Sequence, residues 1–468
     1  MTEPEAARRA RIAALMRQAG LGERVIAQFD AAYTDLCHGA DGLIPESAIE
    51  PVAGLTAHAE LARHRAAGAA LAGRVAQLKL NGGLGTSMGL DGPKSLLEAR
   101  ASLSFLEVAL RQHNAYAAAH HTAPALALLN SFSTDADTRA ALARSDAGRR
   151  AAPTLLLQTM APKIRCDTLE PVEWPDDPAL AWCPPGHGEV FLVLAVSGWL
   201  DRLIDGGYRY LMLSNIDNLG ATIDPAIVGY MADQQIPFLM EVARRTEQDR
   251  KGGHLARGRD GGLLLREVAQ CPADDLATFQ DIARHRYFNT NTIWVDLIAV
   301  RDVLARHGGV LRLPLIRNRK TVDPRRADSP AVYQLETAMG AAIAQFPGAT
   351  AVVVDRERFV PVKVCADLLA LRSDRYALDA AGHLVVHSAA PISITLDPRY
   401  YQQIDAFDQR FAGGAPSLIA CHRLTVEGDV WFDAPVTCRG DVTIRNRGAT
   451  AVHLTDHHSW HDSVVELG

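Results

Sequence analysis

Val75-Ala76-Gln77-Leu78-Lys79-Leu80 runs without a break into Asn81-Gly82-Gly83-Leu84-Gly85-Thr86-Ser87-Met88-Gly89. The first part reads as a strand and the second as a glycine loop, the usual opening of an α/β nucleotide-binding unit. Glycines let the backbone approach a ligand closely and present its N–H groups to phosphate. No Gly-Lys-Ser/Thr closes the loop, so it is not a Walker A loop. Gly83-x-Gly85 is followed by Gly89, so it is not a dinucleotide fingerprint either. Beyond the loop, Pro93-Lys94 sets an ammonium on a Pro-fixed backbone, where it can sit over a polyphosphate.

Outward from this point, strand-like stretches at 125–129, 154–157, 210–213, 238–242, 292–295 and 351–354 alternate with helical ones. Such alternation predicts an α/β fold, a mostly parallel sheet with helices on both faces. Ligands of such sheets bind beyond the carboxyl ends of the strands. Residues 1–74 are rich in Ala and Arg, with Ile12, Leu15, Met16 and Ala19 at helical spacing, and read as a helical N-terminal segment. Residues 75–385 form the catalytic unit on this reading, and 386–468 a third part. In that tail Thr425-Val426-Glu427-Gly428-Asp429-Val430 is echoed by Thr437-Cys438-Arg439-Gly440-Asp441-Val442. Short β runs with regular Gly-Asp turns predict coils of a β-solenoid, with an end that packs against another element or a second subunit.

Composition sets limits on function. Among 468 residues, 48 are basic and 54 acidic, a net charge of −6, which gives no basic footprint for nucleic acid. The N-terminus breaks its apolar residues with charge and does not read as a signal peptide. The most apolar stretch, 190–200, is too short to span a bilayer. Seven cysteines without a CxxC pair point away from disulfides and zinc and toward a reducing, cytoplasmic setting. Only six basic residues are Lys (79, 94, 163, 251, 320 and 363) and the other 42 are Arg. In a chain so biased, the surviving lysines are candidates for sites that need a compact point charge instead of a planar fork.

Most of these lysines lie in or beside polar motifs. Ser214-Asn215-Ile216-Asp217-Asn218 follows a strand, and an Asp at a strand end can hold Mg²⁺ against substrate phosphates. In Pro184-Pro185-Gly186-His187-Gly188 two prolines fix the approach and two glycines expose the His. No second His or Cys stands at zinc-ligand spacing. Lys251-Gly252-Gly253 pairs a lysine with glycines. Phe288-Asn289-Thr290-Asn291 offers two amides that would share a face if extended, suited to sugar hydroxyls. Arg358-Phe359-Val360-Pro361-Val362-Lys363 ends on another lysine, able to reach from a strand end into a cleft.

Together these strings resemble the eukaryotic-type UTP–glucose-1-phosphate uridylyltransferases, or UDP-glucose pyrophosphorylases. The resemblance rests on KLNGGLGTSMG (79–89) with GPKS (92–95), NSFSTDADT (130–138), PPGHGEVF (184–191), SNIDNLGATID (214–224), KGG (251–253), FNTN (288–291), QLETAMGAAI (334–343) and RFVPVK (358–363). It implies a Rossmann-like, GT-A-like nucleotidyltransferase with a mixed sheet flanked by helices, and a C-terminal left-handed β-helix. It implies the substrates UTP and glucose 1-phosphate, with Mg²⁺ on Asp217.

The carry-over puts Leu80, Asn81, Gly82 and Gly83 on the nucleotide through backbone groups, Lys94 on its phosphates, Gln158 on the uracil edge and Gly186 beside the nucleotide. His187 approaches the sugar phosphate, as does Gly83. Asn215 and Asp217 flank the phosphates, and Asn289 and Asn291 face the glucose. Lys363 stabilises charge during attack, and Glu241 and Lys251 are further contacts on the sugar phosphate. Cys183 stands where the family more often has Tyr, and Ser133, Ala136 and Thr292 also depart from its pattern. The neighbouring expectations are a UDP-sugar or UDP-N-acetylhexosamine pyrophosphorylase and, from another class, a silent nucleotide-sugar-binding protein. A homo-oligomer through the C-terminal part belongs to the same set of expectations.

Overall fold

A computed structural model describes residues 5–468. Its central sheet is built from β1 (Thr56–Ala57), β2 (Val75–Asn81), β3 (Leu126–Asn130), β4 (Thr154–Leu157), β5 (Tyr210–Asn215), β6 (Phe238–Arg244), β7 (Tyr287–Asp296) and β8 (Thr350–Val353). The strand order is β1-β8-β6-β7-β5-β2-β3-β4. All neighbours are parallel except β7, which runs antiparallel to both β5 and β6. The sheet is therefore mixed, and the six strand-like stretches of the sequence all overlap its strands, with residues 125 and 354 just outside them.

Covering both faces explains the composition of the strands. Every residue of β2 but Leu80 is buried, as in a central parallel strand. Alternate residues split between faces. Ala76 and Leu78 join the main core with the helix Val190–Val196 and the helix Leu297–Arg306. On the other face Val75, Met212 and Trp294 pack against the helix Pro225–Gln234. That helix starts on the Asp224 carboxylate, which accepts from Ala226 N at 2.8 Å, with Pro225 in its first turn.

Two expectations need adjustment. The N-terminal segment supplies helices Glu5–Gln18 and Glu23–Cys37, but Thr56–Ala57 joins the central sheet and Ile49–Pro51 pairs with the strand His254–Gly258. The tail stacks parallel strands β9 (Ser393–Leu396), β10 (Cys421–Glu427), β12 (Val436–Asn446) and β14 (His458–Leu467), with β11 (Val430–Phe432) paired to β13 (Val452–Leu454). Thr425 stands opposite Thr443 and Val430 opposite Val452, so one coil is longer than the Gly-Asp repeat seen in the sequence. The two Gly-Asp pairs do different work. Gly428 follows strand β10, whereas Gly440 sits at an irregularity inside β12, where Asp462 accepts from Asp441 N at 2.8 Å.

The coils do not stand apart. Leu424, Val426 and Val442 share one core with Met88, Phe105, Leu219, Val362 and Leu368. The tail thus packs on the glycine loop and on the segment that carries Lys363. Among the described residues no helix is long and apolar enough to cross a membrane.

Candidate active site

β5, β2 and β3 are parallel neighbours, so their carboxyl ends share one edge of the sheet, the edge at which such sheets hold ligands in a cleft. The glycine loop folds back on itself. Leu84 bridges to Pro93, and Lys94 N donates to the Gly83 carbonyl at 3.2 Å. This returns Lys94 to the start of the loop. Its Nζ donates to Asp217 Oδ2 at 2.6 Å and also to the Val362 carbonyl. The other oxygen of Asp217, Oδ1, is buried without a partner. Asn218 Oδ1 accepts from Val360 N at 3.0 Å, and Asn218 Nδ2 donates to the Arg358 carbonyl at 3.1 Å. Ser87 Oγ donates to the Lys363 carbonyl at 3.0 Å. Three segments distant in sequence are thereby stitched into one wall carrying Lys94, Asp217 and Lys363. The Lys363 side chain is exposed, with Nζ 5.7 Å from the centre of the Phe288 ring, within cation–π range.

Gln158 lies against the start of the glycine loop. Its Nε2 donates to the Gly186 carbonyl at 2.8 Å. A Cβ on Gly82 would lie 3.1 Å from its Oε1. Gly186 has φ +83° and ψ 166°, a region that only glycine occupies readily, and a Cβ there would stand 2.4 Å from the Thr337 carbonyl oxygen. Asn81 turns its side chain away from the cleft. Its Nδ2 donates to Asn130 Oδ1 at 2.7 Å and Thr138 Oγ1 at 2.9 Å. Leu80 likewise uses its carbonyl for Ile216 N at 3.1 Å.

Beyond these lies a polar floor made by a bulge in β7. Glu241 pairs with Thr292 and Val242 with Asn289, so residues 290–291 loop out, and Asn291 takes φ +59°. Asn291 Nδ2 then donates to Asn215 Oδ1 at 2.9 Å, while Asn291 N donates to Asn289 Oδ1 at 2.9 Å. Asn291 Oδ1 is buried and unpartnered. His187 Nδ1 accepts from Met339 N at 3.0 Å, which leaves the proton on Nε2. Burial holds its pKa down to about 4, so the ring is neutral at physiological pH.

Glu267 joins this side. A Cβ on Gly253 would sit 2.5 Å from its Oε2. Burial raises its pKa, and the Lys363 charge opposes that rise.

A family model described as UTP–glucose-1-phosphate uridylyltransferase matches residues 26–439. The chain belongs to that family. The Saccharomyces cerevisiae UTP–glucose-1-phosphate uridylyltransferase is 39% identical over 373 residues, covering 79% of this chain and 74% of its own. The Solanum tuberosum enzyme of the same name is 36% identical over 384 residues, covering 81% and 78%. Among solved structures, a variant of the Leishmania major UDP-glucose pyrophosphorylase in complex with UDP-glucose superposes with a TM-score of 0.91 at 43% identity, over 98% of this chain and 99% of that one. The Trypanosoma brucei UDP-glucose phosphorylase gives 0.90 at 42% identity, over 99% and 100%.

As a uridylyltransferase of this family, the chain places most residues singled out from sequence around one cleft. Two fall elsewhere. The Glu241 carboxylate is fully buried beneath the sheet. It accepts from Trp294 Nε1 at 2.8 Å and from Arg358 at 2.7 and 2.8 Å, so it faces an ion pair and not a sugar. The main-chain alternation of β6 decides this, since Glu241 shares its face with Leu239 and Trp294. Lys251 is exposed on a turn, and the described contacts tie it to no cleft residue. It is Gly252 and Gly253 of that motif that press on Phe288 and Glu267.

Two other lysines have structural duties. Lys79 is buried, donating to Ser214 Oγ at 2.9 Å and the Ala221 carbonyl at 2.8 Å, and Lys163 donates to the Val322 carbonyl at 2.9 Å. Sequence reasoning missed Glu267, which follows the strand Leu263–Arg266 in no recognisable motif. The demand for a glycine at 253 was its one trace.

Proposed function

We propose that this protein transfers the uridylyl group of UTP to glucose 1-phosphate, giving UDP-glucose and pyrophosphate. Membership of the family supports the reaction. The observation that carries the site is the Lys94–Asp217 pair at 2.6 Å, stitched to Lys363 and set between the glycine loop and the asparagine floor.

On this reading the backbone from Leu80 to Gly83, with Gly186, cradles the nucleotide, and Gln158 meets the uracil edge. Its Nε2 is committed to Gly186, so Oε1 remains to accept the uracil N3–H. Lys94 holds the UTP phosphates. His187 donates Nε2–H to the sugar phosphate. Asn215, Asn289 and Asn291 offer both donors and acceptors to glucose hydroxyls, and Glu267 accepts from another.

A phosphate oxygen of glucose 1-phosphate attacks the α-phosphorus of UTP, and the bond from that phosphorus to the bridging oxygen of the leaving pyrophosphate breaks. The nucleophile is already anionic, so no strong general base is required. The obstacles are repulsion between two polyanions and charge growing on the leaving group. Positioning by the stitched wall meets the first, and the Lys363 and Lys94 ammonium groups meet both.

Asp217 would hold Mg²⁺ through its unpartnered Oδ1. Mg²⁺ favours oxygen ligands, and with one carboxylate here the remainder would be phosphate oxygens and water. When bound, the ion supplies Lewis-acid neutralisation of the phosphates.

For the remaining organisation we propose a catalytic unit ending near residue 385, coils of left-handed sense beyond it, and β14 as the edge where a second subunit packs. The free cysteines fit a cytoplasmic setting. Pyrophosphate release with Mg²⁺ and UTP, measured in parallel on glucose, galactose and N-acetylglucosamine 1-phosphates, tests the function. Turnover dominated by glucose 1-phosphate is expected. Equal turnover with another sugar would move the substrate assignment, and UTP binding without turnover on any would refute the reaction.

A further inference from the structure

Glu189 lies two residues past His187 and is 1% exposed. Its carboxylate accepts from Thr159 N at 3.0 Å and from the Thr159 hydroxyl. An unpaired buried carboxylate is costly unless its lone pairs are well used. Burial pushes this carboxyl up to about 7 even with the Thr159 donors pulling the other way.

Thr159 directly follows Gln158, whose side chain is tied to the Gly186 carbonyl at 2.8 Å. Two short segments, 158–159 and 186–189, are thus joined at both of their ends. Gly188 N donates to the Thr337 carbonyl at 2.8 Å and anchors the second segment from behind.

We propose that Glu189 is a positioning residue for base selection, fixing Thr159 so that Gln158 presents Oε1, and not its NH₂, to the base. This rests on the reading of Gln158 as the uracil contact. The chemistry gives the selection its sign. Uracil N3 carries a proton that Oε1 can accept, whereas cytosine N3 carries a lone pair that Oε1 repels. A Gln158 amide free to rotate would meet either base equally well. Thr159 and Glu189 touch neither the base nor the phosphates on this account, and Glu189 acts only through its neighbour.

The test is the ratio of kcat/KM for UTP to that for CTP, at saturating glucose 1-phosphate, in wild type, Glu189→Ala, Glu189→Gln, Thr159→Val and Gln158→Ala. Glu189→Ala is expected to lower the ratio at least tenfold, chiefly through KM for the nucleotide, with KM for glucose 1-phosphate moving less than twofold. Gln158→Ala should collapse the ratio, and adding Glu189→Ala to it should change the ratio no further. Glu189→Gln keeps the volume and provides the same reading should the alanine variant fail to fold, and Thr159→Val should shift the ratio in the same direction.

If Glu189→Ala and Glu189→Gln leave the ratio fixed while Gln158→Ala collapses it, the proposal is overturned and the uracil assignment stands. If Gln158→Ala leaves the ratio intact, the uracil assignment itself fails. An equal fall for UTP and CTP in the Glu189 variants would mean a purely structural role and would also overturn the proposal.

Discussion

Glu241→Gln separates a buried ion pair from a sugar contact at one position. Glu241 is 0% exposed, and Arg358 reaches both of its oxygens at 2.7 and 2.8 Å. At an effective dielectric of about 20, charges about 2.7 Å apart attract by roughly 6 kcal/mol before desolvation is counted. Removing one partner of such a pair typically costs about 3–5 kcal/mol, because the other charge is left buried. Gln keeps the volume and one acceptor oxygen, so the lower end, about 3 kcal/mol, is expected.

The disturbance reaches Lys79. Its pKa stands near 7, lowered by burial first and by the Arg358 charge second, with Glu241 and Asp217 pulling the other way. Loss of the Glu241 charge should lower it further. Urea unfolding followed by intrinsic tryptophan fluorescence, to which Trp294 beside Glu241 contributes, should show the destabilisation. At roughly 2 cal/mol/K per residue, 3 kcal/mol in a chain this long corresponds to a fall of about 3 °C in Tm. The companion assay is KM for glucose 1-phosphate, expected to change less than twofold. An unchanged unfolding curve with KM raised tenfold would refute the placement of Glu241 and restore it as a substrate contact.

Other outcomes follow from the same geometry. Lys363→Ala should lower kcat by about 10²–10³, the usual loss for one preorganised charge, and Lys363→Arg should recover little of it, since a planar fork misplaces that charge; near-normal turnover in either would remove Lys363 from the reaction. Gly186→Ala forces a side chain into the backbone of Thr337 at φ +83°, so about 1–3 kcal/mol of stability should be lost in thermal unfolding, along with a raised KM for UTP.

His187, with a pKa near 4 against 6.5 for an ordinary His, binds its proton only in the unfolded chain between those values. Its contribution to stability should therefore be full above pH 6.5 and be lost as pH falls toward 4, and a His187→Gln variant should lack that part of the acid dependence. Chelation of divalent cations should abolish pyrophosphate release and Mg²⁺ should restore it, with Asp217→Asn requiring more Mg²⁺; full turnover in a chelator would remove the metal from Asp217.

Much of the fold could be read from hydrophobic runs, because buried strands leave little room for polar residues. The stretches at 75–80, 210–213 and 238–242 all lie in the observed strands. What pattern could not convey was the first half of β7, since only 292–295 read as a strand. That half runs from Tyr287 and Phe288 into the polar Asn289-Thr290-Asn291, which carries the asparagine floor, and its bulge is invisible to a period-two pattern. The Gly-Asp repeat misled on coil length, since local turn chemistry looks alike at a corner and at a mid-strand irregularity.

The chain by itself determined the chemistry present: a glycine loop, lysines retained in an arginine-rich background, an Asp past a strand end and amides spaced for a sugar. Those are local properties of covalent sequence, and the family's motifs are written in them. The tertiary structure decided which groups act together. Lys94 meets Asp217 only because Leu84 bridges to Pro93, and Asn291 meets Asn215 only because β7 bulges. Glu241 and Lys79 are withdrawn from the site by the face of the strand they occupy, and the Glu267 carboxylate comes within reach of the Lys363 charge across a gap that Gly253 leaves open. Contacts between residues far apart in sequence depend on strand register and on which face each side chain takes, and a one-residue shift would reverse both.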